Sequence, residues 1–322
     1  MPVITEYSAV NPAVLSDPRR GWRRMIRIDT AGAAPSVVIR ETMALLPDKL
    51  VYAEGDSWFD KFTPLGRGGT NLLQAIRTPF HAAVVDVSNI GDEVRNMVSG
   101  RQARQTRAMF DLFDFDAILL SAGGNDLKNV FATLYDAKAE RDRGVRSDFV
   151  RAGLELLASP AGLAEAFDET VANIGRFVDL RNGARRDRTR NAPLFVHGYD
   201  YLQPRPAGAE IFSGSGLGGG PWIYPSLLEA GLPDADMLAA TRDVIDEFNA
   251  QLARRIAPLP NVHVIDQRGL LTAGLPRSTG ESNDWLDEIH PTEAGFEKLT
   301  RQRWNVPLSM ALGWVPMPGD LA

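Results

Sequence analysis

The chain alternates between short aliphatic runs and longer amphipathic stretches. Residues 50–53, 82–87, 117–121, 194–196 and 262–265 are brief, β-branched or aliphatic runs. They end in EGDS, SNIGD, AGGND, HGYDY and DQRG respectively. Apolar character over three to six residues, bounded by turn formers, predicts strands buried on both faces, as in a parallel sheet. Helical spacing lies between the runs. It is clearest over 162–181, where Leu163, Ala166, Phe167, Val171, Ile174, Phe177 and Val178 repeat every three to four residues on one face. Further helices are expected over 70–76, 93–110 and 236–256. This alternation predicts an α/β fold, a three-layer α/β/α sandwich around a mostly parallel central sheet of about five strands. In such sheets ligands bind beyond the carboxyl ends of the strands. The polar segments that follow the apolar runs lie at those ends.

The outer segments are less regular. Residues 1–48 are rich in proline and arginine and are expected to form an N-terminal arm packed on a main domain of residues 49–305. A tail of residues 306–322 follows. Two stretches look inserted: a charged helical insert at about 132–190 and a loop rich in glycine, proline and aromatic residues at about 203–235.

Composition narrows the chemistry. Of the 322 residues, 44% are hydrophobic and 24% charged, which suits a globular core, and the net charge of −6 argues against nucleic acid as a partner. No apolar run is long enough for an integral membrane segment. The N-terminus lacks a basic start followed by an apolar stretch, so a cytoplasmic location is expected. With no cysteine, thiol nucleophiles and Cys-ligated metals are excluded. A histidine base must be one of four residues: His81, His197, His263 or His290.

Three polar motifs complement one another. Ser57 follows the first run in EGDSWFD. Alone it reads equally well as a turn or cap serine. Asn125, in GGND, carries an amide donor behind two glycines. His290 lies in DEIHP, where Pro291 suits a first helical turn and Asp287, three residues earlier, can reach the imidazole. A nucleophile, a donor, a base and an orienting carboxylate, all near strand ends, form the set that acyl transfer requires.

In these blocks the chain resembles the SGNH hydrolase superfamily, the GDSL-type esterases and lipases. Gly55-Asp56-Ser57 is similar to its first block and Gly91 in NIGD to its second. Gly123 to Asp126 is similar to its third block, and Asp287, His290 and Pro291 to its last. Trp58 stands where the family usually has an aliphatic residue, making this a GDSW variant. The resemblance spans about residues 49–305. It implies a flavodoxin-like sheet and a catalytic triad of Ser57, Asp287 and His290. It also implies an oxyanion hole formed by the backbone N–H groups of Ser57 and Gly91 with the Asn125 side chain, and no metal or organic cofactor.

The expected partner is a small-molecule ester: a lipid, a small acyl ester or an acetylated carbohydrate. A thioesterase or acyltransferase would use the same site, and a non-catalytic binding module would use the same fold. Trp58, Tyr199 and Trp222 are candidates for lining the substrate pocket, against the alternative that each is packing. Asp284 and Glu288 compete with Asp287 for the third triad position. Gly214, Gly216 and Gly219 satisfy GxGxxG. No strand leads into that segment and Pro221 follows, which disfavours a dinucleotide site.

Overall fold

The computed structural model describes residues 3–4, 14–15, 20–30, 35–60, 71–127, 131, 166–210, 218–229, 231–317 and 320. Its centre is a seven-stranded sheet. In chain order the strands are β1 (Val3–Ile4), β2 (Ile26–Asp29), β3 (Lys49–Gly55), β4 (Ala82–Asp86), β5 (Ala117–Ser121), β6 (Leu194–His197) and β7 (Val262–Ile265). Their spatial order is β1-β7-β6-β5-β3-β4-β2, and every pairing in the sheet is parallel. The five central strands coincide with the five aliphatic runs to within two residues. Counted from β3, they stand in the order 2-1-3-4-5 of a flavodoxin-like sheet. The two further strands come from the N-terminal arm, one at each edge, where β1 pairs with β7 and β2 with β4.

Strand alternation sends neighbouring side chains to opposite helix layers. Tyr52 of β3 packs edge-on to Phe110 at 4.8 Å, and Phe110 meets Phe177. This layer holds α3 (Val94–Met97), α4 (Gly100–Leu112), α5 (Asp168–Asn182) and α7 (Asp234–Gln251), which continues as a π-helical turn over Leu252–Ile256. Phe195 and His197 of β6 instead face Trp304. Trp304 ends a π-helical turn (Thr300–Trp304) between α8 (Glu293–Leu299) and α9 (Asn305–Ala311), and α8 packs on α2 (Leu72–Ala75). Two further helices, α1 (Pro35–Leu45) and α6 (Tyr224–Glu229), complete the set used below.

Four expectations need revision. The sheet has seven strands instead of about five, because the arm adds edges that its irregular sequence does not announce. The stretch expected to be inserted at 132–190 contains α5, the crossover helix between the parallel strands β5 and β6. Such a connection needs a helix-sized segment, and α5 buries Ile174, Phe177 and Val178 in the core. Residues 132–165 of that stretch lie outside the described residues, as do 211–217 of the glycine-rich loop. The tail begins inside α9, whose Val306 joins Val14, Leu15 and Trp22 of the arm in a small second core capped by Trp314. The predicted helix over 93–110 is broken at Ser99–Gly100, where Gly100 takes a φ of 55° and restarts the chain as α4.

Arg181 fastens this frame from inside. It is 1% exposed, and its guanidinium donates to the carbonyls of Ala192 at 2.7 Å, Asn261 at 3.1 Å and Pro260 at 2.7 Å. These lie on the segments that enter β6 and β7, so one side chain satisfies the carbonyls of two strand entries. Arg181→Ala should lower the unfolding free energy by about 3 kcal/mol, since three carbonyls lose a charged donor, and of these Asn261 keeps the Leu194 amide. Arg181→Lys should recover part of that loss, because it keeps donors but not the fork. Urea unfolding of the two variants checks this; a loss under about 1 kcal/mol for the alanine variant would show that the carbonyls find other donors.

Candidate active site

The turn that carries Ser57 grows directly out of β3. The Asp56 amide donates to the Ser121 carbonyl at 3.0 Å, extending the β3–β5 ladder by one bond. The chain then turns sharply: the amides of Phe59 and Asp60 both return to the Asp56 carbonyl at 3.0 Å, and Leu72 donates to Trp58. Ser57 stands at the crest, 9% exposed.

His290 meets it from the far end of the sequence. Ser57 Oγ lies 2.7 Å from His290 Nε2, and His290 Nδ1 lies 2.8 Å from Asp287 Oδ2 and 3.0 Å from Oδ1. Asp287 is fully buried, and its Oδ1 also accepts from the amides of Ile289 at 2.9 Å and His290 at 2.8 Å. A carboxylate accepting from Nδ1–H leaves Nε2 as the acceptor for the serine hydroxyl. The spacing of Asp287 to His290 therefore works through a side-chain-stabilised turn and not along a helix. Helix α8 begins at Glu293, capped by Thr292, whose side chain accepts from Gly295; Pro291 instead bridges to Trp285.

The competing carboxylates are occupied elsewhere. Asp284 pairs with Lys298 at 2.8 Å and accepts from the Thr272 amide. Glu288 accepts backbone amides from residues 222, 223 and 224. Burial pushes its carboxyl up to about 7 against the pull of those donors.

The candidate oxyanion donors share one rim. Asn125 Nδ2 donates to the Asp92 carbonyl at 2.9 Å, which fixes the side chain and leaves its second amide hydrogen. Asp126 accepts from the Val94 amide at 3.3 Å, a second tie between the GGND turn and the loop after β4. Asn89 of that loop donates to the Gly55 carbonyl at 2.9 Å. Gly91 lies between these anchors, exposed, with a φ of 82° that suits glycine.

Beneath Ser57 lies a polar network that the motifs alone do not reveal. Asp56 accepts from the Trp58 amide at 3.0 Å, from Ser121 Oγ at 2.7 Å and from the Tyr199 hydroxyl at 2.5 Å. The Tyr199 hydroxyl in turn accepts from the Gly124 amide at 2.8 Å. A β-carbon at Gly124 would lie 2.7 Å from Asp56 Oδ2 and 2.9 Å from that hydroxyl, so the approach requires glycine. Ser121 Oγ also contacts His197 Nε2 at 2.9 Å, and Gln267 Nε2 lies 2.8 Å from His197 Nδ1. These contacts fit one direction of donation: Gln267 to His197, His197 to Ser121, Ser121 to Asp56.

This network reassigns two residues expected along the pocket. Trp58 is 2% and Tyr199 1% exposed, and they pack edge to face at 4.9 Å. Trp58 also stacks on His197, meets Phe296 and donates its indole N–H to the Ile289 carbonyl at 3.0 Å. Both rings are enclosed beneath the serine turn and have no surface for substrate. Trp222, the third candidate, is half-buried, with its ring centroid 6.2 Å from that of His290. The signal that could have found the network is HGYDY at the end of β6, four polar or aromatic residues beside the middle of the sheet.

No known family profile and no curated protein sequence matches the chain. Solved structures similar to it include an extracellular lipase from Streptomyces rimosus, at 17% identity over 78% of this chain and 95% of that one, TM-score 0.43. A carbohydrate acetylesterase family member from Sinorhizobium meliloti is 15% identical over 83% and 100%, TM-score 0.43. A putative SGNH hydrolase from Slackia heliotrinireducens is 13% identical over 82% and 99%, TM-score 0.37. At these scores the roles of individual residues rest on the chain's own geometry. No described helix is long and apolar enough to cross a membrane.

His197 gives the network a pH signature. Burial lowers its pKa from 6.5 to about 4, so the folded protein holds the ring neutral. The unfolded chain binds a proton there near pH 6.5 that the folded chain refuses until about pH 4. Stability from this residue is therefore present above pH 6.5 and falls through that window as pH drops. Between pH 6.5 and 4 the wild type should lose up to about 3 kcal/mol more than His197→Gln, the carboxyl groups titrating alike in both. Parallel urea melts across that range measure the difference; equal slopes would mean that the imidazole is not desolvated.

Proposed function

We propose that the chain is a serine ester hydrolase of the SGNH type, cleaving a carboxylic ester through an acyl-serine. The observation that carries this reading is the unbroken line from Ser57 Oγ through the His290 ring to the Asp287 carboxylate, with links of 2.7 and 2.8 Å. The four sequence blocks, met in order, support it.

In this reading Ser57 Oγ attacks the acyl carbon while His290 Nε2 takes its proton. Asp287 holds the Nδ1–H tautomer and stabilises the imidazolium as it forms. The negative charge that develops on the carbonyl oxygen is met by Asn125 and by the backbone N–H groups of Ser57 and Gly91. His290 then returns the proton to the leaving alcohol, and water repeats the sequence on the acyl-serine to release the acid. The route calls on no metal or organic cofactor. The substrate is a small-molecule carboxylic ester whose acyl and alcohol parts lie on either side of Ser57.

A small fluorophosphonate should modify Ser57 and abolish p-nitrophenyl acetate hydrolysis. Asn125→Ala should lower kcat by about 10²–10³ with little change in KM, because its donor acts on charge present only in the transition state. Ser57→Ala and His290→Ala should each cost more, and the double variant should be hardly worse than either. Multiplicative losses in a folded double variant, or a label mapped to another residue, would overturn the assignment.

A further inference from the structure

Glu288 sits within the turn that builds the catalytic base, yet its carboxylate serves another segment. It is fully buried. It accepts from the Trp222 amide, from Ile223 at 3.0 Å and from Tyr224 at 2.6 Å. Its backbone is held as well: the Glu288 carbonyl accepts from Gln203 at 2.8 Å, and its amide donates to Ala207 at 3.3 Å. Ile223 and Leu227, on either side of the start of α6, are fully buried. The 222–224 segment is therefore anchored from both its backbone and its side chains.

What this anchoring presents is the indole of Trp222. Its ring lies against the backbone of Gly219 and Gly220. A β-carbon at Gly219 would come within 2.9 Å of the ring and one at Gly220 within 2.8 Å. Gly219, the last glycine of the GxGxxG match, and Gly220 beside it make room for the indole. The ring stands at 76° to the His290 imidazole with centroids 6.2 Å apart.

Position relative to His290 decides which part of an ester this ring would meet. His290 Nε2 faces Ser57 Oγ and, in the hydrolase reading, must hand its proton to the departing alcohol oxygen. The alcohol therefore leaves along the imidazole, while the carbonyl oxygen points to the rim of Gly91 and Asn125. A group packed beside the imidazole borders the alcohol and not the acyl chain. An indole offers a flat apolar surface, which suits a ring of similar shape, aryl or the apolar face of a pyranose.

We infer that Trp222, held in place by Glu288, forms a leaving-group subsite selecting esters of ring-bearing alcohols. This rests on the hydrolase reading. Glu288 acts only as a positioning residue: a carboxylate with two oxygens satisfies three amides at once, and nothing else in the turn replaces it.

The test is a matrix of acetates and variants. Ethyl acetate is the reference, with benzyl acetate and a methyl pyranoside monoacetate as the aryl and sugar arms; ethyl butyrate and ethyl hexanoate vary the acyl side. In Trp222→Ala the kcat/KM preference for a ring alcohol over ethanol should fall about five- to tenfold, mainly through KM, while the acyl-length preference stays as in wild type. Trp222→Phe should keep much of the preference. Glu288→Gln should lose it with the indole still present, because the amide NH₂ opposes the backbone donors; should that variant not fold, the Trp222 pair decides alone. Loss in only one ring arm identifies which ring the subsite takes. An equal loss for every alcohol, or a loss that follows acyl length, would overturn the subsite. Fluorophosphonate labelling of the wild type separates the two levels: no labelling at Ser57 removes the hydrolase reading itself, whereas labelling without an alcohol-specific loss removes only the subsite.

Discussion

The site depends above all on the buried carboxylate of Asp56. It is 1% exposed, and the donors on it are neutral: an amide, a hydroxyl and a phenol. A carboxylate taken out of water is tolerable only when its oxygens are met by well-placed donors. Each donor belongs to a different part of the fold. Trp58 closes the serine turn, Ser121 ends β5 and Tyr199 follows β6. Satisfying one charge therefore fixes the height of Ser57 relative to two neighbouring strands. Through Tyr199 and the Gly124 amide it also fixes the turn that carries Asn125. Ser57 and Asn125 are coupled through a group that touches neither the serine hydroxyl nor the asparagine amide.

The same logic extends outward. Ser121 passes the constraint to His197, Gln267 and Trp304, whose indole N–H lies 3.3 Å from Gln267 Oε1. On the other edge, Arg27 of β2 reaches Asp60 at 2.7 Å and Asp86 at 2.5 Å, tying the end of the serine turn to the end of β4. The N-terminal arm is thus part of the frame around the Ser57 turn. The segment carrying the base lacks regular structure but is not loose. Arg205, also buried, donates to the carbonyls of Trp285 at 3.1 Å and Asp287 at 3.2 Å, replacing the hydrogen bonds that a strand or helix would have given.

Whatever depends on local pattern was legible in the sequence. The five central strands are continuous aliphatic runs because both of their faces are buried, and α5 shows an unmistakable stripe. Ser57 and Asn125 stood out as polar residues just past strand ends, and Asp287 and His290 as a carboxylate and an imidazole three residues apart. What depends on distant partners was not legible. Val3–Ile4 is a strand only because β7 offers an edge, and two residues carry no period. Trp58 and Tyr199 read as pocket aromatics, since each follows a strand end. Their burial comes from Asp56, beside Trp58 in sequence, from His197, beside Tyr199, and from Phe296, distant from both, so each ring's enclosure depends on partners far along the chain. Glu288 joins amides 64 to 66 residues away, and no spacing rule covers such a contact.

Between residues 284 and 288 the chain places three carboxylates, and the turn decides what each does. Asp284 faces Lys298 at the surface, Asp287 faces the imidazole, and Glu288 faces the 222–224 amides. Composition cannot distinguish them, because all three are acids close to the same histidine. Direction distinguishes them: consecutive side chains in a tight, hydrogen-bonded turn diverge, so Asp287 and Glu288 cannot serve the same partner. That divergence has a consequence for the site. The imidazole of His290 is held by one residue, and the segment carrying Trp222 by the next. Any shift of this turn must then move the imidazole and the indole together. Arg205, which holds the carbonyl of Asp287, governs both. The relative placement of imidazole and indole is therefore a property of one short turn, which is how an irregular loop can supply geometry as definite as that of the sheet it faces.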